Sequence, residues 1–362
     1  MKRMSKIIYA YNILGFQKPG GGETQLLETL RYVSKQGFTV HLFNPFLKLE
    51  NYDILHIFGL AHHLLDIAEY WKTNINKPLV ITPLWWSFEE YYARIGKRIL
   101  ALRDKIYRYL RRVRYFYELQ RHLDIRLDLR GLLLSRGDVI IATSNMEREL
   151  LARYFSIPLS KIRVVYNGVS RRFYEEADPT LFIKKYGIRD FVLCVAGIYP
   201  KKNQLALLRA LEKEKEIPLV FIGPVVDKKY YYKLLEISRK KGNVYFLGEI
   251  PHDSPILPSA YAAAKVCVLP SWFDAPGLVT LEAALAGCRV VVTNRGPMKE
   301  YFGDLVLYID PGDINDIREK VLYAYYSDID TSKLRKHVLE NFTWDRVLAP
   351  LIDIYKELMQ KC

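Results

Sequence analysis

The sequence is short of several features that would place it in a special class. Four of its 362 residues are cysteine, and Cys194, Cys267, Cys288 and Cys362 are too widely spaced for a Cys-x-x-Cys pair or a clustered zinc site. Free thiols in a reducing compartment are the expectation, with Cys194 and Cys267 buried because they lie inside apolar runs. No stretch reaches the ~18 to 20 apolar residues of a membrane-spanning helix. The basic start meets polar Asn12 before it builds the apolar core or small-residue cleavage site of a leader peptide, so none is expected. Low-complexity tracts and short-period repeats are absent, and 20 glycines without a period exclude a collagen-like chain.

What remains is ordinary globular material, 50% hydrophobic and 26% charged. At roughly 150 residues per domain, the length fits two domains. Lysine and arginine number 54 against 40 acidic residues, a formal net charge of +14. Residues 1–168 hold 26 of the basic and 15 of the acidic residues, so +11 lies in the first half and +3 in the rest. The first half is therefore expected to meet something anionic.

Apolar runs at 6–12, 39–43, 54–58, 79–82, 139–142 and 162–166 read as short strands, separated by helical patterns such as 24–36. Asn167-Gly168 makes a turn, and strands resume at 191–196, 219–222, 244–247, 266–269 and 289–293. Continuous apolar strands alternating with helices indicate parallel sheets covered on both faces. The expected fold class is α/β, with two doubly wound, Rossmann-like domains over 1–168 and 169–343 facing across a cleft. In the closing segment 344–362, Val347, Leu351, Ile354, Tyr355 and Leu358 fall on one side. An amphipathic helix that packs back on the first domain is expected there.

Residues 94–130 hold twelve Lys or Arg against four Asp or Glu. On a helix, Ile95, Ile99, Leu102, Ile106, Leu110 and Val113 share one face, and Arg94, Arg98, Lys105, Arg108 and Arg112 line a neighbouring one. This stripe reads as the solvated side of a core-packed helix, or as a dock for anionic lipid headgroups or an anionic acceptor. Nucleic acid has only the charge in its favour.

Ligands of open parallel sheets bind beyond the carboxyl ends of the strands. In the first half, Gly20, Gly21 and Gly22 would let an anionic or hydroxyl-rich group approach the backbone before a helix, or form a plain loop. His56 ends a strand, either as a catalytic group or as a buried, hydrogen-bonded one. Trp85 and Trp86 follow another strand, where they would stack on a sugar or apolar acceptor, or pack in the core. The second half carries a longer signal, 270–288, which follows a strand and runs into a helix. Gly277 permits close approach, and the amides of Gly277, Leu278, Val279 and Thr280 would face a diphosphate at the helix start. Glu282 leans back toward the same point. Its carboxylate suits both hydroxyls of a ribose, the plain alternative being a solvated helix residue. Asp274, in the preceding loop, reaches a second group of the ligand.

Here the chain resembles the retaining glycosyltransferases of GT-B fold, family 4 (glycosyl transferases group 1). Asp274 and Glu282 have the spacing of that family's Glu-x7-Glu element, with Asp in the first place. The resemblance continues, from about residue 20 to 360, through Gly20-Gly-Gly-Glu23, Val165-Tyr-Asn-Gly-Val-Ser170, Pro200-Lys-Lys-Asn-Gln204, Phe221-Ile-Gly223, Phe246-Leu-Gly248, Arg295-Gly-Pro-Met-Lys-Glu300 and Phe342-Thr-Trp344. It implies that Glu282 binds the nucleotide ribose, Asp274 holds hydroxyls of the donor sugar, and Lys202 neutralises the departing diphosphate. It also implies that His56 lies near the transferred sugar and that the Gly20–Gly22 loop faces phosphate or acceptor. Ala196-Gly197-Ile198 lacks the arginine that the family often places before the lysine, which leaves Arg295, Lys201 or the helix start to assist. Phe58 and Leu84 stand where a second histidine falls in many members.

The activity implied is transfer of a hexose from a nucleoside-diphosphate sugar to a carbohydrate or lipid-linked acceptor, with no cofactor and no essential metal. The expected place is the cytoplasm, with peripheral attachment at the inner face of a membrane through 94–130. The one plain Asp-x-Asp, Asp328-Ile-Asp330, reads as helix-boundary chemistry. Two other readings stay open: a sugar-nucleotide epimerase of the same fold, and a non-catalytic protein that binds a membrane or partner through the basic helix.

Overall fold

The fold is that of a computed structural model, which describes residues 5–17, 20–87, 129–274 and 277–360. The basic stripe with Arg98, Lys105, Arg108 and Arg112 lies outside the described residues. The chain divides into two units, Met1–Asn167 with Val347–Cys362, and Gly168–Arg346.

The first unit is built on β1 (Lys6–Ala10), β2 (Thr39–Leu42), β3 (Ile54–Phe58), β4 (Leu79–Thr82), β5 (Val139–Ala142) and β6 (Ile162–Val164). All pair in parallel, in the order β2-β1-β3-β4-β5-β6. The second unit has β7 (Phe191–Val195), β8 (Leu219–Ile222), β9 (Val244–Phe246), β10 (Ala264–Leu269), β11 (Arg289–Thr293) and β12 (Leu307–Ile309), also parallel, in the order β12-β11-β10-β7-β8-β9. Helices on both faces bury such sheets, which is why β3, β4 and β8 are buried along their whole length and apolar apart from His56 and Thr82. Ile57, Ile81 and Ile140 anchor the first core, and Val192, Phe221, Val268 and Val291 the second. Each such side chain contributes about 1.5–3 kcal/mol on leaving water. Each strand order reverses once, between β1 and β3 in the first unit and between β7 and β10 in the second, and ligands of open α/β sheets bind beyond the carboxyl ends at such switch points.

Three elements differ from the sequence reading. The helix expected at 24–36 is Gly21–Lys35. Glu23 accepts the Gly20 N–H at 2.6 Å and the Tyr11 hydroxyl at 2.5 Å, and this draws Gly21 and Gly22 into the first turn. Strand β12, only three residues long, was not foreseen. The closing helix is broken into Trp344–Val347 and Ala349–Gln360, the latter with Pro350 in its first turn, where a missing N–H costs nothing. Val347, Leu351, Ile354, Tyr355 and Leu358 are all buried.

The second unit begins and ends at one place. Val169 and Thr343 form a parallel bridge, with the Val169 amide on the Phe342 carbonyl at 2.8 Å and the Trp344 amide on the Val169 carbonyl at 3.2 Å. Cys194, Cys267 and Cys288 are buried free thiols. Asp330 accepts the Ser332 amide at 2.8 Å and Asp328 pairs with Arg289 at 3.3 Å, so this Asp-x-Asp serves a helix boundary.

Candidate active site

In the second unit, the loops after β7, β10, β11 and β12 meet at the switch point. Asn203 holds them together. It sits in the left-handed region (φ 57°), and its side-chain amide donates to the carbonyls of Pro270 at 3.1 Å and Pro311 at 2.8 Å. The Trp272 amide donates to the Lys201 carbonyl at 2.9 Å. The turn Pro200–Lys202 is thereby fixed against the loop that carries Asp274.

Lys202 Nζ lies 2.5 Å from Asp274 Oδ1. Burial, the largest single effect, pulls the ammonium pKa down, but the charge and hydrogen bond of Asp274, with smaller contributions from Tyr199 and Cys194, together outweigh it, so the net shift is upward and Lys202 stays charged. Asp274 is 8% exposed, and its Oδ2 is buried without a hydrogen-bond partner among the described residues. A buried carboxylate oxygen with no donor is costly, and a ligand hydroxyl would satisfy it. Lys201 differs from its neighbour. Partial burial and the adjacent Lys202 charge lower its pKa.

Two glycines let these loops close up. Gly296 has φ +92°, and a Cβ there would stand 2.5 Å from the Asp274 carbonyl oxygen. At Gly277 a Cβ would meet Leu269 Cδ2 at 2.6 Å. Gly277 caps the helix Leu278–Leu285. Its carbonyl takes both the amide and the hydroxyl of Thr280, at 2.9 and 2.7 Å, so the Thr280 amide serves the turn and not a ligand, a correction to the sequence reading. Leu278 and Val279 open the helix, and their amides lie in its first turn. Arg295, next to Gly296, pairs with Asp310 at 3.6 Å.

Glu282 is 4% exposed and is no solvated helix residue. Its Oε2 accepts the Tyr261 hydroxyl at 2.7 Å, and its Oε1 lies 2.9 Å from His252 Nε2. Burial first, and the Glu282 charge second, push the Tyr261 pKa up, so the phenol keeps its proton and donates. Sequence reasoning missed His252, Tyr261 and Asn203. The signals available were a histidine just after the Phe246-Leu-Gly248 turn and a lone tyrosine among the small residues of Ile256–Ala263.

The first unit gathers less chemistry. His56 is 1% exposed, with Nδ1 2.5 Å from the Tyr355 hydroxyl and Nε2 2.8 Å from Thr82 Oγ1. Burial lowers its pKa to about 3, so the ring is neutral. With both nitrogens occupied inside the core, the buried, hydrogen-bonded reading is the one that describes His56 here. Gly20 caps the helix Gly21–Lys35, so the expected loop at Gly20, Gly21 and Gly22 is a helix start. Trp85 packs edge-on against Tyr154 and Phe155, at 5.1 and 4.8 Å between centroids, which favours its core-packing reading. Trp86 is half-buried beside it.

Comparison with known proteins bears on the family and the fold. The family model for glycosyl transferases group 1 matches residues 181–341, and that for glycosyltransferase family 4 matches residues 44–173. The O-antigen chain mannosyltransferase B of Escherichia coli is 28% identical over 239 residues, which cover 62% of this chain and 62% of that protein. The chain thus spans about three fifths of the length of the first curated relatives it matches. Among solved structures, the sucrose-phosphate synthase of Thermosynechococcus elongatus superimposes with a TM-score of 0.75 at 15% identity, over 99% of this chain and 100% of the other. Anabaena HepE in complex with UDP and glucose gives 0.72 at 16% identity, over 98% and 100%. With both halves matched in order and the two parallel sheets in place, the chain belongs to the group 1 glycosyltransferases of GT-B fold.

Proposed function

We propose that this protein transfers a hexose from a nucleoside-diphosphate sugar to a carbohydrate or lipid-linked acceptor, with retention at the anomeric carbon and without a metal. The observation that carries the reading is the Lys202–Asp274 pair beside the helix that bears Glu282, at the switch point of the second sheet. Cleaving the bond between sugar and diphosphate builds negative charge on the leaving phosphate. Lys202, kept charged by Asp274, and the helix start oppose that charge, with Arg295 on the adjoining loop as a further cation. Fixed donors of this kind are worth ~10²–10³ in rate each. Asp274 Oδ2 accepts a hydroxyl of the sugar, and Glu282 accepts the ribose hydroxyls. The E. coli mannosyltransferase and the UDP and glucose bound to HepE support a sugar-nucleotide donor while differing in the sugar they name.

Thermal unfolding with UDP, GDP and ADP, each with and without EDTA, tests the reading. A nucleotide at 100 times its Kd adds ~2.7 kcal/mol, which is several degrees at about 2–4 °C per kcal/mol. One base should give the shift, EDTA should not remove it, and Glu282→Ala should. No shift with any of the three would overturn the donor site. For the acceptor side, charge reversal of Arg98, Lys105 and Arg112 is expected to abolish sedimentation with anionic vesicles. Unchanged sedimentation removes the membrane from the proposal.

A further inference from the structure

We propose that His252 and Tyr261 are positioning residues that fix the Glu282 carboxylate, and that the donor site thereby selects ribonucleotides over 2′-deoxyribonucleotides. This rests on the reading of Glu282 as the ribose-binding group.

The argument is one of acceptor sites. A carboxylate offers about four, two on each oxygen. The Tyr261 hydroxyl takes one on Oε2, and His252 Nε2 takes one on Oε1. One site per oxygen is left, which is what the adjacent 2′- and 3′-hydroxyls of a ribose require. The two donors come from different elements, a loop and the helix Ile256–Ala263, so the carboxylate cannot turn without breaking one of them. They are themselves held. Arg172 donates to the carbonyls of His252 at 2.6 Å and Ser254 at 2.9 Å, which clamps the loop. The Phe173 ring packs against both side chains, 5.5 Å from His252 and 5.9 Å from Tyr261. Tyr261 is wholly buried, whereas the His252 side chain is 38% exposed, so the pair closes the inner side of Glu282 and reaches solvent at the other end. Two donors from separate elements, one to each oxygen, set the plane of the carboxylate.

The test compares UDP with dUDP, GDP with dGDP and ADP with dADP by isothermal titration on the full chain. The wild type is expected to prefer the ribonucleotide of its preferred base by ~10- to 100-fold, the range for one hydrogen bond to a charged group. In Tyr261→Phe and in His252→Leu the preference should fall to about threefold or less. His252→Gln, which keeps an N–H at similar reach, should restore most of it. A residue that only supported the fold would weaken both nucleotides equally and leave the ratio intact. An unchanged ratio in both variants overturns the proposal while leaving the donor site standing. Failure of the wild type to bind any of the six overturns the donor-site reading and the proposal with it. Tyr261→Phe is isosteric and position 252 lies in a loop, so loss of fold in one variant leaves the other to decide.

Discussion

His56 and Tyr355 stand 299 positions apart in sequence and 2.5 Å apart in space. The tyrosine hydroxyl also meets the Tyr9 hydroxyl at 3.1 Å, and the other side of the imidazole meets Thr82. A buried chain of four polar groups thus runs from β4 through β3 to the helix Ala349–Gln360 and back to β1. Tyr355→Phe removes its central hydroxyl and leaves His56 Nδ1 and Tyr9 without that partner. The expected cost is about 1–3 kcal/mol in urea unfolding. Combined with Tyr9→Phe, the loss should be less than additive. A variant as stable as the wild type would mean that the chain adds nothing to docking the helix.

The same histidine sets an acid limb on stability. Its folded pKa of about 3 lies below the ordinary value of 6.5 because burial disfavours the cation. Between those two values the unfolded chain binds a proton that the folded chain refuses, so stability is full above about 6.5 and falls as the pH drops toward 3, by at most ~1.4 kcal/mol per pH unit from this group. His56→Gln does not titrate. Its deficit against the wild type, read from urea midpoints at pH 7, 5.5 and 4, should shrink with falling pH. Parallel curves would assign the acid limb to other residues.

Lys202→Met tests the leaving-group role. It removes the cation proposed to face the leaving diphosphate and strands Asp274, largely buried, without its partner. Turnover should fall ~10²–10³-fold with a smaller change in KM, and unfolding should come earlier by about 3 kcal/mol. Lys202→Arg keeps the charge and should recover part of the rate. Equal loss in both would point to shape at that position rather than charge.

Gly296→Ala should damage the donor site from the backbone. The position has φ +92°, and the new methyl would press on the Asp274 carbonyl. Strain of about 1–3 kcal/mol and a displaced Asp274 are expected, seen as a lost thermal shift with nucleotide. Gly303→Ala is the control, because its φ is +53° and nothing lies within 4 Å. If the two variants behave alike, close approach at 296 has no bearing on binding.

The sheets were legible because their strands are short, continuous apolar runs. The observed β3, β4, β5, β8 and β11 have the bounds read from the pattern. Strand β12 was not, because Leu307, Tyr308 and Ile309 are too few to stand out beside Val306. The helix start at Gly21 was hidden because three glycines read as loop, and only the reach of Glu23 back to Gly20 and Tyr11 pulls them into the turn. Asp274 and Glu282 were visible, as they sit eight residues apart around a helix start. The company they keep was not. Lys202 reaches Asp274 across 72 positions, and Tyr261 and His252 reach Glu282 across 21 and 30, spacings that only the folding of strands into one crevice can relate.

The bridge between Val169 and Thr343 makes the second unit a closed excursion of the chain. Its two ends leave the bridge side by side, so residues 168–346 are an insertion in a first unit that is itself discontinuous, completed by the helix Ala349–Gln360. The second unit can therefore be exchanged as a cassette, or its ends joined and reopened elsewhere by circular permutation, with both cuts made at one spot on its surface. The other half has no such freedom. Truncating the chain before Ala349 would take Tyr355 from His56, and so strike a sheet whose strands all lie in the first half of the sequence.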